Sequence, residues 1–112
     1  MMRLKQALTA ITAAGILAAT FALPAAALNR VVTIVNQTGY VMVEFYGSNK
    51  GSTSWEEDIL GYDVLGGYDS ININFDDGSG YCIFDFKAVF SDGDEVVSKG
   101  INVCEIPTFT YN

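Results

Sequence analysis

The chain has 112 residues, with six basic and thirteen acidic side chains, two cysteines and no histidine, for a formal net charge of −7. Nucleic-acid binding needs a basic surface, so this balance argues against it. Two cysteines without a histidine cannot build a structural zinc site, and no histidine is present to activate a nucleophile.

In chain order, residues 1–27 stand apart. Arg3 and Lys5 come first, an uncharged run follows from Ala7 to Leu28, and Pro24 precedes Ala25, Ala26 and Ala27. A positive start, an apolar middle and an Ala-x-Ala end describe a secretory signal peptide cleaved after Ala27. The alternative is an uncleaved anchor, because the run could span a bilayer. Its Ala- and Thr-rich composition favours cleavage. The mature chain, residues 28–112, then reads as a single β domain with four basic and thirteen acidic residues, a net of −9.

Apolar residues recur with period two through most of this part, which predicts strands. "VVTIVN" (31–36) is the first, and "NQTGY" follows as a turn. Asn36-Gln37-Thr38 also matches the glycosylation acceptor pattern, but turn chemistry is the preferred reading. In "VMVEFYG", alternation places Val41, Val43 and Phe45 on one face and Met42, Glu44 and Tyr46 on the other. "SNKGSTS" reads as a polar loop. Ser54 with Glu57 resembles a capping box and Gly61 a stop, which predicts a short helical turn near residues 55–60.

"SININF" then sets Ile71, Ile73 and Phe75 on one face. "YCIFDFKAVF" sets Cys82, Phe84, Phe86, Ala88 and Phe90 on one face, the expected core face, with Asp85 and Lys87 opposite. "EVVSKGINVC" is a strand bulged near Gly100. "PTFTY" closes the chain, Pro107 marking a strand start or an edge. The expected fold is all-β: a small antiparallel meander of about six strands forming a sandwich or a partly open barrel. In an oxidising compartment Cys82 and Cys104 would form a disulfide, contributing about 3 kcal/mol in the chain-entropy model. The alternative is two free buried thiols.

Three groups of residues carry candidate chemistry. Trp55, Glu56, Glu57 and Asp58 form an acidic cluster around the only tryptophan. Trp55 either packs a turn onto the sheet or lies exposed as a binding anchor. Asp76 and Asp77 in "DDGSG", and Asp92 and Asp94 in "SDGDE", sit where glycine-containing tight turns are expected. Calcium is the metal their oxygens would suit, provided that the two turns lie side by side. The spacing does not match the twelve-residue helix-loop-helix calcium pattern. Asp85 with Asp58 is a carboxylate pair of the kind that can split a glycosidic bond.

The runs "VTIVNQTGYVMVEFYGSN", "SWEEDILG", "DDGSGYCIFDFKAVFSDGDEV" and "NVCEI" resemble a family of small secreted alphaproteobacterial proteins of unassigned function. The resemblance covers nearly all of residues 28–112 and implies a bacterial periplasm. Some members carry the label argininosuccinate lyase. That enzyme is a much larger, mostly helical tetramer with a Gly-Ser-Ser-x-Met-Pro run in a mobile loop. This chain has neither that run nor a long helical pattern, so the sequence does not support the activity.

The expected function is therefore that of a small acidic exported module, periplasmic or extracellular, which binds a cationic protein or peptide and is not an enzyme. A periplasmic inhibitor of a basic cell-wall hydrolase is one concrete form. No cofactor, nucleic acid or membrane partner is expected after signal cleavage. The alternative is a calcium-stabilised structural domain. A carboxylate-dependent carbohydrate hydrolase comes third.

Overall fold

The computed structural model describes residues 28–112, so the segment read as a signal peptide lies outside the described residues. Six strands follow one another: β1 (Val31–Asn36), β2 (Met42–Asn49), β3 (Ser70–Asn74), β4 (Ile83–Phe90), β5 (Glu95–Asn102) and β6 (Thr108–Tyr111). They form two three-stranded sheets, ordered β3-β1-β6 and β2-β4-β5. The all-β reading holds, and the architecture is a sandwich rather than a closed barrel. Among the described residues no helix is long and apolar enough to cross a membrane.

The alternating residues supply the core. From the first sheet come Val32, Ile34, Ile73, Phe75 and Tyr111; from the second come Phe45, Phe84, Phe86, Ala88 and Phe90, all buried. Aromatic rings fill the gap between the sheets. Phe86 stacks on Phe75 with centroids 5.0 Å apart and meets Phe45 edge-on at 5.2 Å. Such pairs add about 0.5–1.5 kcal/mol each beyond the area they bury. The predicted core face of β4 is the observed one. The bulge in β5 is also observed: the register shifts opposite Asp85, where Gly100 takes φ +72°.

Cys82 and Cys104 are joined by a disulfide, with Cα atoms 5.3 Å apart. It closes the open end of the β4–β5 hairpin, beside the bond from Val103 N–H to the Cys82 carbonyl. Arg30 reinforces this end. Its guanidinium is buried, and it donates to the carbonyls of Tyr81 (2.9 Å) and Gly80 (3.0 Å).

Four expectations need correction. The strands do not form a simple meander. β1 pairs antiparallel with β3 but parallel with β6, and β2 pairs with β4 rather than with either sequence neighbour. The physical cause lies at Asn36. Its side chain is fully buried, and Nδ2 lies 2.8–3.1 Å from the carbonyls of Tyr40, Leu65 and Gly66. Its Oδ1 accepts from the Thr38 N–H and hydroxyl. These bonds carry the chain from one sheet to the other instead of folding it back as a hairpin.

In β2 a bulge between Met42 and Glu44 changes the phase, so Met42 and Phe45 are both buried. Ser48 and Asn49, read as loop, are the last residues of β2. Finally, no helix forms at residues 55–60. Glu56 takes φ +65°, which breaks a helical path. The expected Ser54–Glu57 box is absent; instead the Ser52 hydroxyl bonds the Ser54 carbonyl and Glu56 Oε2. The segment lies along the free edge of β2: Ile59 N–H donates to the Phe45 carbonyl, and Met42 and Leu65 exchange two backbone bonds. Covering an edge strand in this way removes a template for aggregation.

Candidate functional site

A groove of about 280 Å³ opens between the 55–59 segment and the turn after β3. Trp55, Glu56, Glu57, Asp76 and Asp77 line it, together with Ile59, Phe75 and Phe84. Two clusters that lie some twenty residues apart in sequence thus share one site. No basic side chain is among the described residues that line it.

The floor depends on one glycine. Gly47 of β2 lies directly against the Phe75 ring, and a Cβ there would sit 2.5 Å from the ring's Cε1. Absence of a side chain lets Phe75 settle between the sheets and form the apolar base. One wall is the turn after β3. Asp76 accepts from the Gly78 N–H at 3.2 Å, and Asp77 Oδ1 accepts from the Ser79 N–H at 3.0 Å and from the Ser79 hydroxyl. Asn49 Nδ2 reaches across from β2 to Asp77 Oδ2 at 2.9 Å. Partial burial alone would raise the Asp77 carboxyl; the bonds from Ser79 and Asn49 outweigh it and hold the pKa below its ordinary value.

The other wall is Trp55 to Glu57. Lys87 Nζ stands over the Tyr46 ring at 4.9 Å and over the Trp55 ring at 5.4 Å, so one ammonium fastens both aromatics to the outer face of the β2-β4-β5 sheet. The Tyr46 hydroxyl donates to Glu44 Oε1 at 2.7 Å, and this bond, with burial and the nearby carboxylates, pushes its pKa up to about 12. Trp55 is half-buried and belongs to the surface layer, not to the core. Glu57 is exposed and makes no hydrogen bond or ion pair with another described residue.

Asp58 does not line the groove. Its Oδ1 accepts from the N–H groups of Phe45 (2.9 Å) and Leu60 (3.0 Å), fixing the segment to the β2 edge. Asp85 is also apart from Asp58. It lies on the outer face of β4, with Oδ1 accepting from the Gly100 N–H at 3.0 Å. It lines a second cavity, of about 190 Å³, which Asp58 does not reach.

Asp92 and Asp94 are separated from Asp76 and Asp77 by the full eight residues of β4. At about 3.3 Å per residue that is roughly 23 Å, so the four aspartates cannot share an ion. Among the described residues no group of three or more acidic or sulfur ligands could hold a metal. Asp92 and Asp94 instead line a cavity of about 330 Å³ at the opposite end, with Tyr40, Phe90 and Tyr111. The Tyr111 hydroxyl is buried without a hydrogen-bond partner, and burial raises its pKa.

Sequence reasoning missed Gly47 and Ile59 as parts of the groove, and Asn49 as the residue that ties its acidic turn to β2. The letters carry no signal for this: apolar and polar residues do not alternate from Phe45 through Tyr46, Gly47 and Ser48 to Asn49, where β2 ends opposite Phe84. No family model matches the chain, and neither a curated protein nor a solved structure matches it.

Proposed function

We propose that this chain is a small exported, non-catalytic binding module whose acidic groove takes a lysine or arginine side chain of a protein or peptide partner. The observation that carries the reading is the gathering of Glu56, Glu57, Asp76 and Asp77 around an apolar floor beside Trp55. A long basic side chain has both parts of the matching chemistry. Its methylene stem lies on Ile59, Phe75 and the indole, and its charged head meets the carboxylates.

The size of the groove suits one such side chain rather than a folded surface. The disulfide supports an oxidising compartment and hence export. The overall acidic charge supports a cationic partner and opposes nucleic acid and anionic membranes. No cofactor enters the reading, and the small secreted alphaproteobacterial proteins that the sequence resembles are its expected context.

The test is titration with a short lysine- and arginine-rich peptide, followed by calorimetry across a range of salt. Affinity should fall steeply as salt rises. Each carboxylate contributes up to about 1 kcal/mol at 4 Å in water, so Glu56→Gln, Glu57→Gln, Asp76→Asn and Asp77→Asn together should weaken binding more than tenfold. Asp92→Asn with Asp94→Asn should change it less than about twofold, a loss of under 0.5 kcal/mol. Equal losses from both sets, or binding indifferent to salt, would rule the groove out as the binding site.

A further inference from the structure

The second cavity differs in chemistry from the groove. It lies on the outer face of the β2-β4-β5 sheet, where the loop after β2 folds over the strands. Its polar lining includes Ser48, Asn49, Ser52, Asp85 and Lys99, with Trp55 as an aromatic wall.

Ser48 is the informative residue. It is only 6% exposed, and its hydroxyl is buried with no hydrogen-bond partner among the described residues. The hydroxyl belongs to the cavity side of the sheet. Gly47, the preceding residue, faces the core ring of Phe75, so alternation turns Ser48 the other way. Ser48 also stands directly across from Asp85 in the β2–β4 register, and both line the cavity. A buried hydroxyl without a partner costs about 1–3 kcal/mol.

The remaining groups narrow the ligand. Asp85 supplies an acceptor and Lys99 a donor, and no ion pair joins them among the described residues. A cation would face Lys99 and an anion would face Asp85. An apolar molecule would leave Lys99 and Ser48 without a partner and Asp85 with nothing beyond its bond from the Gly100 N–H. A neutral molecule with several adjacent hydroxyls satisfies all three, since each hydroxyl both donates and accepts. An aromatic wall gives the C–H face of a ring something to lie against. At about 190 Å³ the space is well under the roughly 300–1,000 Å³ of sites for drug-sized ligands, so it takes one small ring.

We propose that the cavity between Ser48, Asp85, Lys99 and Trp55 is a binding site for a single neutral sugar ring, distinct from the acidic groove. Trp55 separates the two, so a glycan and a basic side chain could be held side by side.

The chain's single tryptophan makes the test direct. Its emission is followed during titration with glucose, galactose and N-acetylglucosamine, with free lysine and acetate as charged controls. The expected result is a saturable change with at least one sugar and none with acetate. Ser48→Ala should weaken that sugar at least tenfold while leaving the ligand-free melting temperature equal or higher, because it removes an unsatisfied group. Asp85→Asn keeps an oxygen for the Gly100 N–H and should also weaken the sugar; it carries the test alone if Ser48→Ala fails to fold. Glu57→Gln with Asp76→Asn, which line only the groove, should leave sugar affinity unchanged, which separates this site from the peptide groove. The proposal is overturned if no sugar gives a saturable change, as when water alone occupies the cavity. Sugar binding that neither Ser48→Ala nor Asp85→Asn alters overturns it equally.

Discussion

The two acidic turns of this molecule are nearly the same locally and quite different in their surroundings. In the turn after β3, Asp76 and Asp77 accept from the N–H groups two residues on, and Gly78 takes φ +83°. In the turn after β4, Asp92 accepts from the Asp94 N–H, and Gly93 takes φ +88°. Both aspartate sets are explained by turn chemistry. Yet the first turn faces a second stretch of carboxylates, and Asn49 ties it to β2. The second is a tight hairpin tip, closed by the bond from Phe90 N–H to the Asp94 carbonyl. Of the two turns, charge converges at the one beside which a long loop has been folded back. Local sequence explains why each acid is tolerated, and tertiary placement decides which acids can act together.

The two ends of the molecule separate most sharply when the covalent link is cut. Replacing Cys82 and Cys104 with alanine should cost about 2–5 kcal/mol, the largest of the expected effects. The loss should be uneven. Amide exchange ought to speed up most around residues 80–84 and 101–105, with the Asp92–Asp94 tip remaining protected to a greater degree. Equal loosening of both ends would mean that the two turns are not independent. The opposite end is broken at Asn36. Asn36→Ala leaves the carbonyls of Tyr40, Leu65 and Gly66 without their shared donor, at a cost of about 3 kcal/mol by urea unfolding. Exchange should then quicken near Thr38 and Tyr40 and spare the groove.

The strands and the core were legible because period-two alternation is a local property. Phe84, Phe86, Ala88 and Phe90 alternate without interruption, and the predicted inner face is the buried one. The pairing order was not legible. Asn36 looks like an ordinary turn residue, and only its burial shows that it directs the chain across to the second sheet. The face of β2 was misread because the bulge after Met42 leaves no mark in the letters. The helical turn failed for a related reason: a capping pattern competes with tertiary bonds, and Asp58 is held by the backbone of β2. Of the candidate binding residues, Trp55, Glu56 and Glu57 could be found by composition. Their meeting with Asp76 and Asp77 depends on how the loop docks, which no local pattern encodes.

The two turns are alike in what a divalent ion would find. Among the described residues neither belongs to a group of three or more ligands that could hold a metal ion, whereas calcium takes six to eight oxygens. Melting with calcium and with chelator at matched ionic strength should therefore give midpoints within about 2 °C, a difference of roughly 0.5 kcal/mol or less. Magnesium should match calcium. A clear rise specific to calcium, lost in Asp76→Asn with Asp77→Asn but kept in Asp92→Asn with Asp94→Asn, would make the groove a metal site and displace the basic side chain from it.

The finest test concerns Asp77 alone, the acid that the first turn shares with β2. Its folded pKa lies below the ordinary value of 3.8, because Ser79 and Asn49 favour the charged form against partial burial. A depressed carboxyl contributes stability that is fully present above the unfolded pKa and is lost as the pH falls through the folded one. Asp77→Asn should thus be slightly less stable than the parent well above pH 3.8, and the gap should close in stronger acid. Asp77→Asn removes both the bonds from Ser79 and Asn49 to a charged carboxylate and the repulsion of that carboxylate by Glu56, Glu57 and Asp76, so the gap between the two unfolding curves reads the balance of the two. Asn49→Ala should shrink the gap at neutral pH, since it removes one of the two donors. A gap that stays constant from neutral to strongly acidic solution would show that Asp77 serves the turn by shape and not by charge. The electrostatic pull of the groove would then rest on Glu56, Glu57 and Asp76.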